Sequence, residues 1–253
     1  MLDLFKLDGK TAIVTGCGRG LGLGIARGLA EAGADILGVG RALEASECEK
    51  AVESCGRKFH YMEADLKSQK CIPEIIEKAV AAFGRLDILV NNAGIIRRAD
   101  SLDFTGEDWD EVMDVNLKSL FFLSQAAAKQ FIKQGSGGKL IHIASLLSFQ
   151  GGVRIPSYTA AKSGVRGLTM LMANEWARYG INANAIAPGY FETDNTQALR
   201  ADAARNAEIT GRIPAGRWGV PRDLAGTAVF LASAASDYLN GFTIAVDGGW
   251  LGR

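Results

Sequence analysis

Short apolar runs rich in valine and isoleucine alternate along the chain with longer amphipathic stretches. The apolar runs predict seven β-strands, over Thr11–Thr15, Asp35–Val39, Lys58–Met62, Asp87–Asn91, Lys139–Ala144, Ile181–Ala187 and Phe242–Val246. The stretches between them have helical spacing, over Gly20–Ala32, Leu43–Cys55, Gln69–Phe83, Trp109–Gln134, Ser157–Tyr179 and Pro221–Ala234. Strands and helices that alternate in this way indicate an α/β fold.

Strand–helix–strand units join parallel strands through right-handed crossovers and place helices on both faces of the sheet. We therefore expect a doubly wound parallel sheet of the Rossmann type, with about seven strands. The chain contains no linker rich in proline or serine, no block of charge and no internal repeat, so a single domain over residues 1–253 is expected. Ligands of such sheets bind beyond the carboxyl ends of the strands.

The composition excludes several classes of protein. Hydrophobic residues make up 48% of the chain and charged residues 22%, which is typical of a globular core and excludes disorder. The 28 basic and 28 acidic residues balance, so neither nucleic acid nor a membrane surface is an expected partner. No stretch approaches the roughly 18 apolar residues that cross a bilayer, and the cysteines form no metal-binding pair. We expect a cytoplasmic protein without a metal site.

A glycine-rich loop joins the first predicted strand to the first helix. Residues 15–22 read T-G-C-G-R-G-L-G. Backbone N–H groups at a helix N-terminus attract phosphate, and glycine lets the backbone approach it closely. No Gly-Lys-Ser/Thr sequence of a Walker loop follows these glycines, so a dinucleotide is favoured over a hydrolysed nucleotide. The expected contacts are Gly16, Arg19, Gly20, Leu21 and Gly22.

The next strand ends carry further candidate contacts to a dinucleotide. The second strand ends at Gly40-Arg41, where NAD-binding proteins have an acidic residue for the ribose hydroxyls. Arg41 can hold a 2′-phosphate, so NAD(H) and NADP(H) both stay open. Small, polar and turn-forming residues follow the third and fourth strands, and they suit close approach of a cofactor. They are Asp65, Leu66, Asn92, Ala93 and Gly94.

Ser145 ends the fifth strand, and Tyr158 and Lys162 lie four residues apart on one face of the next helix. A phenol ionises near pH 10, but a nearby ammonium group favours the phenolate. The Ser145 hydroxyl can bind a substrate oxygen whose charge changes during hydride transfer. The three residues therefore predict interconversion of a ketone and an alcohol, with Tyr158 as proton donor or acceptor.

The order of these motifs resembles the short-chain dehydrogenase/reductase family. The resemblance extends from about Leu7 to Gly249. It depends on the glycine loop, N-N-A-G at 91–94, Ser145, Y-x-x-x-K at 158–162 and P-G at 188–189. It implies an NAD(P)-dependent oxidoreductase, active as a homotetramer, in which Asn116 joins Ser145, Tyr158 and Lys162 in a catalytic tetrad. It also implies that Tyr158 and Lys162 contact the cofactor, together with Pro188, Gly189, Phe191 and Thr193 around its carboxamide.

Longer segments, including 91–98, 145–158, 213–218 and 245–251, resemble one subgroup of this family. The resemblance implies a keto-deoxy sugar acid as substrate, of the 2-deoxy-D-gluconate or 2-keto-3-deoxygluconate type. Such a substrate needs a cation for its carboxylate and polar groups for its hydroxyls. The candidates are Arg97, Arg98, Arg154 and Gln150, besides Ser145 and Tyr158. Alternatives are a dehydrogenase of another ketone (polyol, steroid or acyl) and a non-catalytic dinucleotide-binding regulator.

Overall fold

The computed structural model describes residues 1–253 and contains one sheet of seven parallel strands. The strands are β1 (Thr11–Thr15), β2 (Asp35–Gly40), β3 (Phe59–Glu63), β4 (Ile88–Asn91), β5 (Gly138–Ile143), β6 (Ile181–Pro188) and β7 (Thr243–Val246). All seven predicted strands are present with their ends within one residue, and the doubly wound parallel fold is confirmed. The sheet order β3-β2-β1-β4-β5-β6-β7 reverses direction between β1 and β4, which opens a crevice at their carboxyl ends.

Nine α-helices flank the sheet. They are α1 (Gly20–Glu31), α2 (Ser46–Glu53), α3 (Ile72–Phe83), α4 (Gly106–Met113), α5 (Ser119–Gln134), α6 (Pro156–Trp176), α7 (Gln197–Ala201), α8 (Ala203–Arg212) and α9 (Ala225–Ala232). The long helix predicted over 109–134 is divided by a π-helical turn at Asp114–Lys118. The pattern did not predict α7 and α8, since Ile209 is the only buried side chain in them. No helix is both long and apolar enough to cross a membrane.

Two apolar clusters fill the space between the sheet and its helices. One contains 25 buried residues, including Ile13 of β1 and Phe131 of α5, and the other contains 23, including Val14 of β1 and Ile25 of α1. Neighbouring residues of β1 thus enter opposite layers, which explains why this strand is buried along its whole length. A third, smaller cluster contains Leu146 and Trp250, and it packs beside the carboxyl edge of the sheet.

Candidate active site

The loop after β1 brings the backbone close to its neighbours at the crevice. Gly16 and Gly20 have φ values of 66° and 53°, a region that favours glycine. A Cβ atom at Gly22 would collide with the Gly16 carbonyl and with the Asn92 amide. Because α1 begins at Gly20, the unpaired N–H groups of its first turn lie at this loop. Free N–H donors and an open backbone surface fit a dinucleotide pyrophosphate.

The N-N-A-G segment after β4 joins that strand to the glycine loop. The Asn92 side chain donates from Nδ2 to the carbonyls of Thr15 and Gly16, at 2.8 and 3.1 Å. In return, Thr15 Oγ1 accepts hydrogen bonds from the backbone N–H groups of Asn92 and Ala93, both at 3.0 Å. The Asn92 amide, predicted to contact the cofactor, is therefore engaged in fixing the loop that would hold it.

The end of β2 has no acidic side chain, and a tyrosine lies beside it. A Cβ atom at Gly40 would lie 2.9 Å from Tyr61 Oη, which itself donates to the Ala42 carbonyl at 2.9 Å. Arg41 is exposed, and no ion pair of the protein includes it. This edge of the crevice therefore presents an uncompensated positive charge where an NAD-binding carboxylate would otherwise lie.

Asp65 and Leu66 follow β3 as the sequence suggested. Leu66 is buried, and Asp65 is exposed with Oδ1 accepting from the Lys67 N–H at 2.9 Å. The N-terminal cap of the next helical turn is Ser68 and not Asp65. The contact of Asp65 and Leu66 with the cofactor stays a prediction.

The structure brings Ser145, Tyr158 and Lys162 together at the end of β5. Ser145 directly follows the strand region, and α6 carries the other two residues back over it. The Lys162 side chain is 4% exposed, donates to the Ile143 carbonyl at 2.5 Å, and has Nζ 5.6 Å from the centre of the Tyr158 ring. A buried amine thus lies beneath a half-buried phenol, in the arrangement that the sequence predicted.

The environment shifts the pKa of both ionisable groups. Burial raises the pKa of Tyr158, while the hydrogen bond with Ser145 and the positive charge of Arg98 lower it. Burial lowers the pKa of Lys162 to about 8, so its amine is still largely protonated at neutral pH. That retained charge favours the phenolate over the phenol. Arg98 is a second source of positive charge for Tyr158 that the sequence did not reveal.

Asn116 lies in the π-helical turn and is 1% exposed. Its Oδ1 accepts from the Ile95 N–H and its Nδ2 donates to the Ile95 carbonyl, both at 2.8 Å. The side chain therefore braces the backbone that follows N-N-A-G. Its membership of the catalytic tetrad stays a prediction.

Two of the arginines predicted to bind the substrate have their charge balanced within the protein. Arg97 contacts Glu111 at 2.6 Å and Asp108 at 3.4 Å. Arg154 lies 3.2 Å from Asp100, and its φ of 66° places it in the left-handed region. Neither guanidinium is thus free for a substrate carboxylate without first breaking an ion pair.

Arg98 differs from these two because no carboxylate accompanies it. Its Nη2 donates to the Asn195 carbonyl at 3.3 Å, on the segment that follows β6. Its positive charge lowers the pKa of Tyr158. Of the three arginines, Arg98 is the one that pairs with no carboxylate of the protein.

The segment after β6 approaches the glycine loop from the other side of the crevice. Gly20 and Thr193 are close enough that a Cβ atom at Gly20 would lie 3.5 Å from Thr193 Cγ2. Arg19 of the loop forms an ion pair with Asp194 at 2.7 Å. Phe191 is 4% exposed and belongs to the apolar cluster of 23 residues, so its side chain anchors the segment after β6 to the core.

The same segment starts with Pro188 and Gly189. A Cβ atom at Gly189 would lie 2.6 Å from Asp247 Cα, so this glycine permits close packing against the chain after β7. Three residues near the crevice were not predicted from the sequence: Tyr61, Asp194 and Trp250. They reach this region through contacts between distant parts of the chain. The only signal for Trp250 was its place in segment 245–251, which resembles one subgroup of the family.

A phenol next to a buried amine can move a proton. Neither group can accept or supply the hydride that interconverts an alcohol and a ketone. The crevice beside it fits a dinucleotide, which carries the redox chemistry in such proteins. The fold and the site together define a Rossmann-type oxidoreductase that works with a nicotinamide dinucleotide.

Comparisons with known proteins narrow this class. A family model described as enoyl-(acyl carrier protein) reductase matches residues 16–251. A 2-dehydro-3-deoxy-D-gluconate 5-dehydrogenase of Escherichia coli is 63% identical over 253 residues, covering 100% of both chains. The chain belongs to the short-chain dehydrogenase/reductase family, as its motifs predicted, and it is an NAD(P)-dependent dehydrogenase.

Two solved structures are similar over nearly the whole chain. A protein of Agrobacterium tumefaciens with bound NADP has a TM-score of 0.93 at 56% identity, covering 99% of each chain. A gluconate 5-dehydrogenase of Burkholderia cenocepacia, in complex with NADP and tartrate, has a TM-score of 0.94 at 46% identity. That match covers 100% of this chain and 99% of the other.

Proposed function

We propose that this dehydrogenase reversibly oxidises a secondary alcohol of a keto-deoxy sugar acid, of the 2-dehydro-3-deoxy-D-gluconate or 2-deoxy-D-gluconate type. The observation that carries the proposal is the Arg98 guanidinium, which pairs with no carboxylate and whose charge lowers the pKa of Tyr158. An unpaired positive charge of this kind favours an anionic substrate for an alcohol-oxidising site. The names of the relatives agree with this substrate class. A neutral polyol, steroid or acyl ketone would leave that charge unpaired.

The chemistry divides between the protein and the cofactor. A nicotinamide dinucleotide held in the crevice would supply the hydride acceptor for oxidation of the carbinol carbon and the hydride donor for reduction of the ketone. Tyr158 Oη takes the hydroxyl proton of the substrate, and Ser145 Oγ donates a hydrogen bond to the same oxygen. Lys162 keeps a positive charge near the phenol ring, and this charge favours the phenolate against the effect of burial, which raises the pKa of Tyr158. In ketone reduction, Tyr158 gives the proton back.

The residues that hold the cofactor lie along the crevice. The glycine loop and the first turn of α1 would hold the pyrophosphate. Lys162 would hydrogen-bond the nicotinamide ribose, and residues 188–193 would surround the carboxamide end. Arg41, together with the absence of an acidic side chain at the end of β2, favours NADP(H) over NAD(H).

Replacing Arg41 by serine tests the cofactor preference. We expect the KM for NADP⁺ to increase about 10- to 100-fold, because a charge-assisted hydrogen bond contributes about 1.5–3 kcal/mol. The KM for NAD⁺, which lacks the 2′-phosphate, serves as the internal control and should change by less than about twofold. Steady-state kinetics with both cofactors measure the effect, and an equal change for both would contradict the assignment.

Replacing Arg98 by glutamine tests the carboxylate contact. The kcat/KM for the sugar acid should fall about 10- to 100-fold, since a bidentate charged contact is lost. The methyl ester of the same acid has no negative charge, so its kcat/KM should change much less. Arg97→Gln and Arg154→Gln are matched controls, because both side chains already pair with carboxylates. A similar loss in all three variants would argue against a specific role of Arg98.

Substrate class is measured directly with the wild-type enzyme. Initial rates of cofactor reduction are compared for 2-dehydro-3-deoxy-D-gluconate, 2-deoxy-D-gluconate, D-gluconate and the neutral polyol D-glucitol, and initial rates of NADPH oxidation are measured for a steroid ketone and an acyl ketone. Product analysis by NMR identifies the carbon that is oxidised. Preference for D-glucitol or for a steroid or acyl ketone would overturn the substrate class, and binding of NADPH without turnover of any ketone would favour a regulator.

The proposal includes a homotetramer in the cytoplasm. Supporting the assembly, α5 and α6 leave large apolar side chains exposed, at 39% for Phe122, 44% for Ile132 and 43% for Met170. Apolar side chains grouped on helix faces are typical of subunit interfaces. The four cysteines are all free thiols, which is consistent with a reducing compartment. Sedimentation equilibrium gives the mass of the assembly.

A further inference from the structure

We propose that Trp250 is a positioning residue that fixes the orientation of the Gln150 amide and thereby sets the affinity for the oxygen-rich substrate. The inference rests on the proposed function, because it concerns how the same site holds a polyhydroxylated acid. Trp250 lies 100 residues from Gln150 in the sequence, yet its indole N–H donates directly to the Gln150 side chain.

Gln150 is held close to the reacting group by a short turn. The chain forms a single 3-10 turn at Leu146–Ser148, directly after Ser145. The Gln150 backbone N–H donates to the Leu146 carbonyl at 3.1 Å, which closes this turn. Its side chain is half-buried, so it is neither part of the apolar core nor fully in solvent. Gln150 therefore moves with the segment that carries Ser145.

The chemistry of the indole determines which way the amide points. An indole nitrogen can only donate a hydrogen bond, so the atom that faces it must be the amide oxygen. Trp250 Nε1 lies 3.1 Å from Gln150 Oε1. The amide nitrogen of Gln150 is then turned away, and its two hydrogens have no acceptor in the protein. A donor in this position suits a hydroxyl, ketone or carboxylate oxygen of the substrate.

Trp250 is itself held firmly. The Asp247 carboxylate accepts from the backbone N–H groups of Gly249 and Leu251, both at 2.9 Å, which fixes the turn on either side of the indole. The ring lies 4.7 Å from the ring of Tyr190 and 3.9 Å below the guanidinium of Arg212. With 4% exposure, the indole cannot rotate freely, so it imposes one orientation on the amide.

The indole also packs against the reacting segment. Leu146, which follows Ser145, belongs to the same small apolar cluster as Trp250. The end of the chain therefore supports the Ser145–Gln150 segment through an apolar contact and through one directed hydrogen bond. The hydrogen bond is the part that a phenylalanine ring cannot replace.

The test is a double-mutant cycle between Trp250→Phe and Gln150→Ala in the full-length enzyme. Trp250→Phe keeps a ring against Tyr190 and Arg212 but removes the N–H donor. We expect the KM for 2-dehydro-3-deoxy-D-gluconate to increase about three- to tenfold, as for the loss of one hydrogen bond, with kcat changed less than about twofold. Because Gln150→Ala removes the acceptor, adding Trp250→Phe to it should cause no further increase.

Trp218→Phe is the matched control. Trp218 lies in the same cluster and packs on Tyr190, but its indole donates to Asn206 at 2.7 Å and not to Gln150. Its substitution should leave the KM unchanged. Effects that multiply in the double variant, or an equal KM increase in Trp218→Phe, would overturn the positioning role.

A measurement without turnover separates this inference from the proposed function. The protein contains four tryptophans, so ¹⁵N-indole NMR spectra are simple to assign by substitution. In Gln150→Ala, the Trp250 indole resonance should shift and its N–H should exchange faster, while the Trp218 resonance stays. An unchanged Trp250 resonance would show that the hydrogen bond is absent, whereas wild-type inactivity on every sugar acid would overturn the substrate class alone.

Discussion

Replacing Tyr158 by phenylalanine is expected to lower kcat by about 10²- to 10⁴-fold, the range that one general acid–base group contributes. The variant lacks only the hydroxyl that exchanges a proton with the substrate oxygen, so no other group at the end of β5 can take over the transfer. The phenyl ring still covers the Lys162 amine, which lies 5.6 Å from its centre in the wild-type protein. Dissociation constants for NADP(H) should therefore change little.

Initial rates followed by nicotinamide absorbance, together with a fluorescence titration of NADPH, separate turnover from cofactor binding. Tyr238→Phe is the matched control, because the Tyr238 side chain is fully exposed and lies outside the Ser145, Tyr158 and Lys162 group. Near-normal turnover in Tyr158→Phe would show that the proton is transferred by another residue.

Replacing Lys162 by methionine is expected to produce a loss that depends on pH. Alcohol oxidation requires the phenolate, so its rate increases with pH as Tyr158 loses its proton. Burial already raises the pKa of Tyr158, and removal of the Lys162 charge raises it further. The alkaline limb should therefore move to higher pH, with each unit costing about tenfold in rate at neutral pH, or about 1.4 kcal/mol.

The measurement is kcat for oxidation between pH 6 and pH 10. Lys118→Met is a suitable control, since Lys118 is a half-exposed lysine that pairs with Asp114 at 3.0 Å. A thermal melt accompanies the kinetics, because Lys162→Met also leaves the Ile143 carbonyl without its donor. A uniform loss at every pH would assign to Lys162 a structural role and no influence on Tyr158.

The secondary structure was predicted well where burial produces a clear pattern of apolar residues along the sequence. The central strands β1 and β4 are buried along their whole length and form short apolar runs. The edge strands β3 and β7 expose some side chains, yet they too were predicted within one residue. The prediction was less complete in the region 197–212, where α7 and α8 bury a single side chain. A helix that buries so little leaves almost no pattern to detect.

The candidate site shows a similar division. The role of some residues follows from backbone geometry, as for Gly16, Gly20 and Gly22. Their spacing and their place between a strand and a helix identify them in the sequence. The roles of Asn92 and Asn116 depend on which carbonyls lie opposite their amides. Both amides bind the protein's own backbone, a choice that no spacing reveals.

By itself, the sequence determined the α/β fold, the place of the phosphate-binding loop and the order of Ser145, Tyr158 and Lys162 along the chain. These features depend on local periodicity and on short spacings, which one segment encodes without reference to another. Only the tertiary structure decided that Arg97 and Arg154 are neutralised while Arg98 is free, and that Trp250 meets Gln150. Charge compensation and hydrogen bonding between distant segments depend on distances that exist only after the chain has folded.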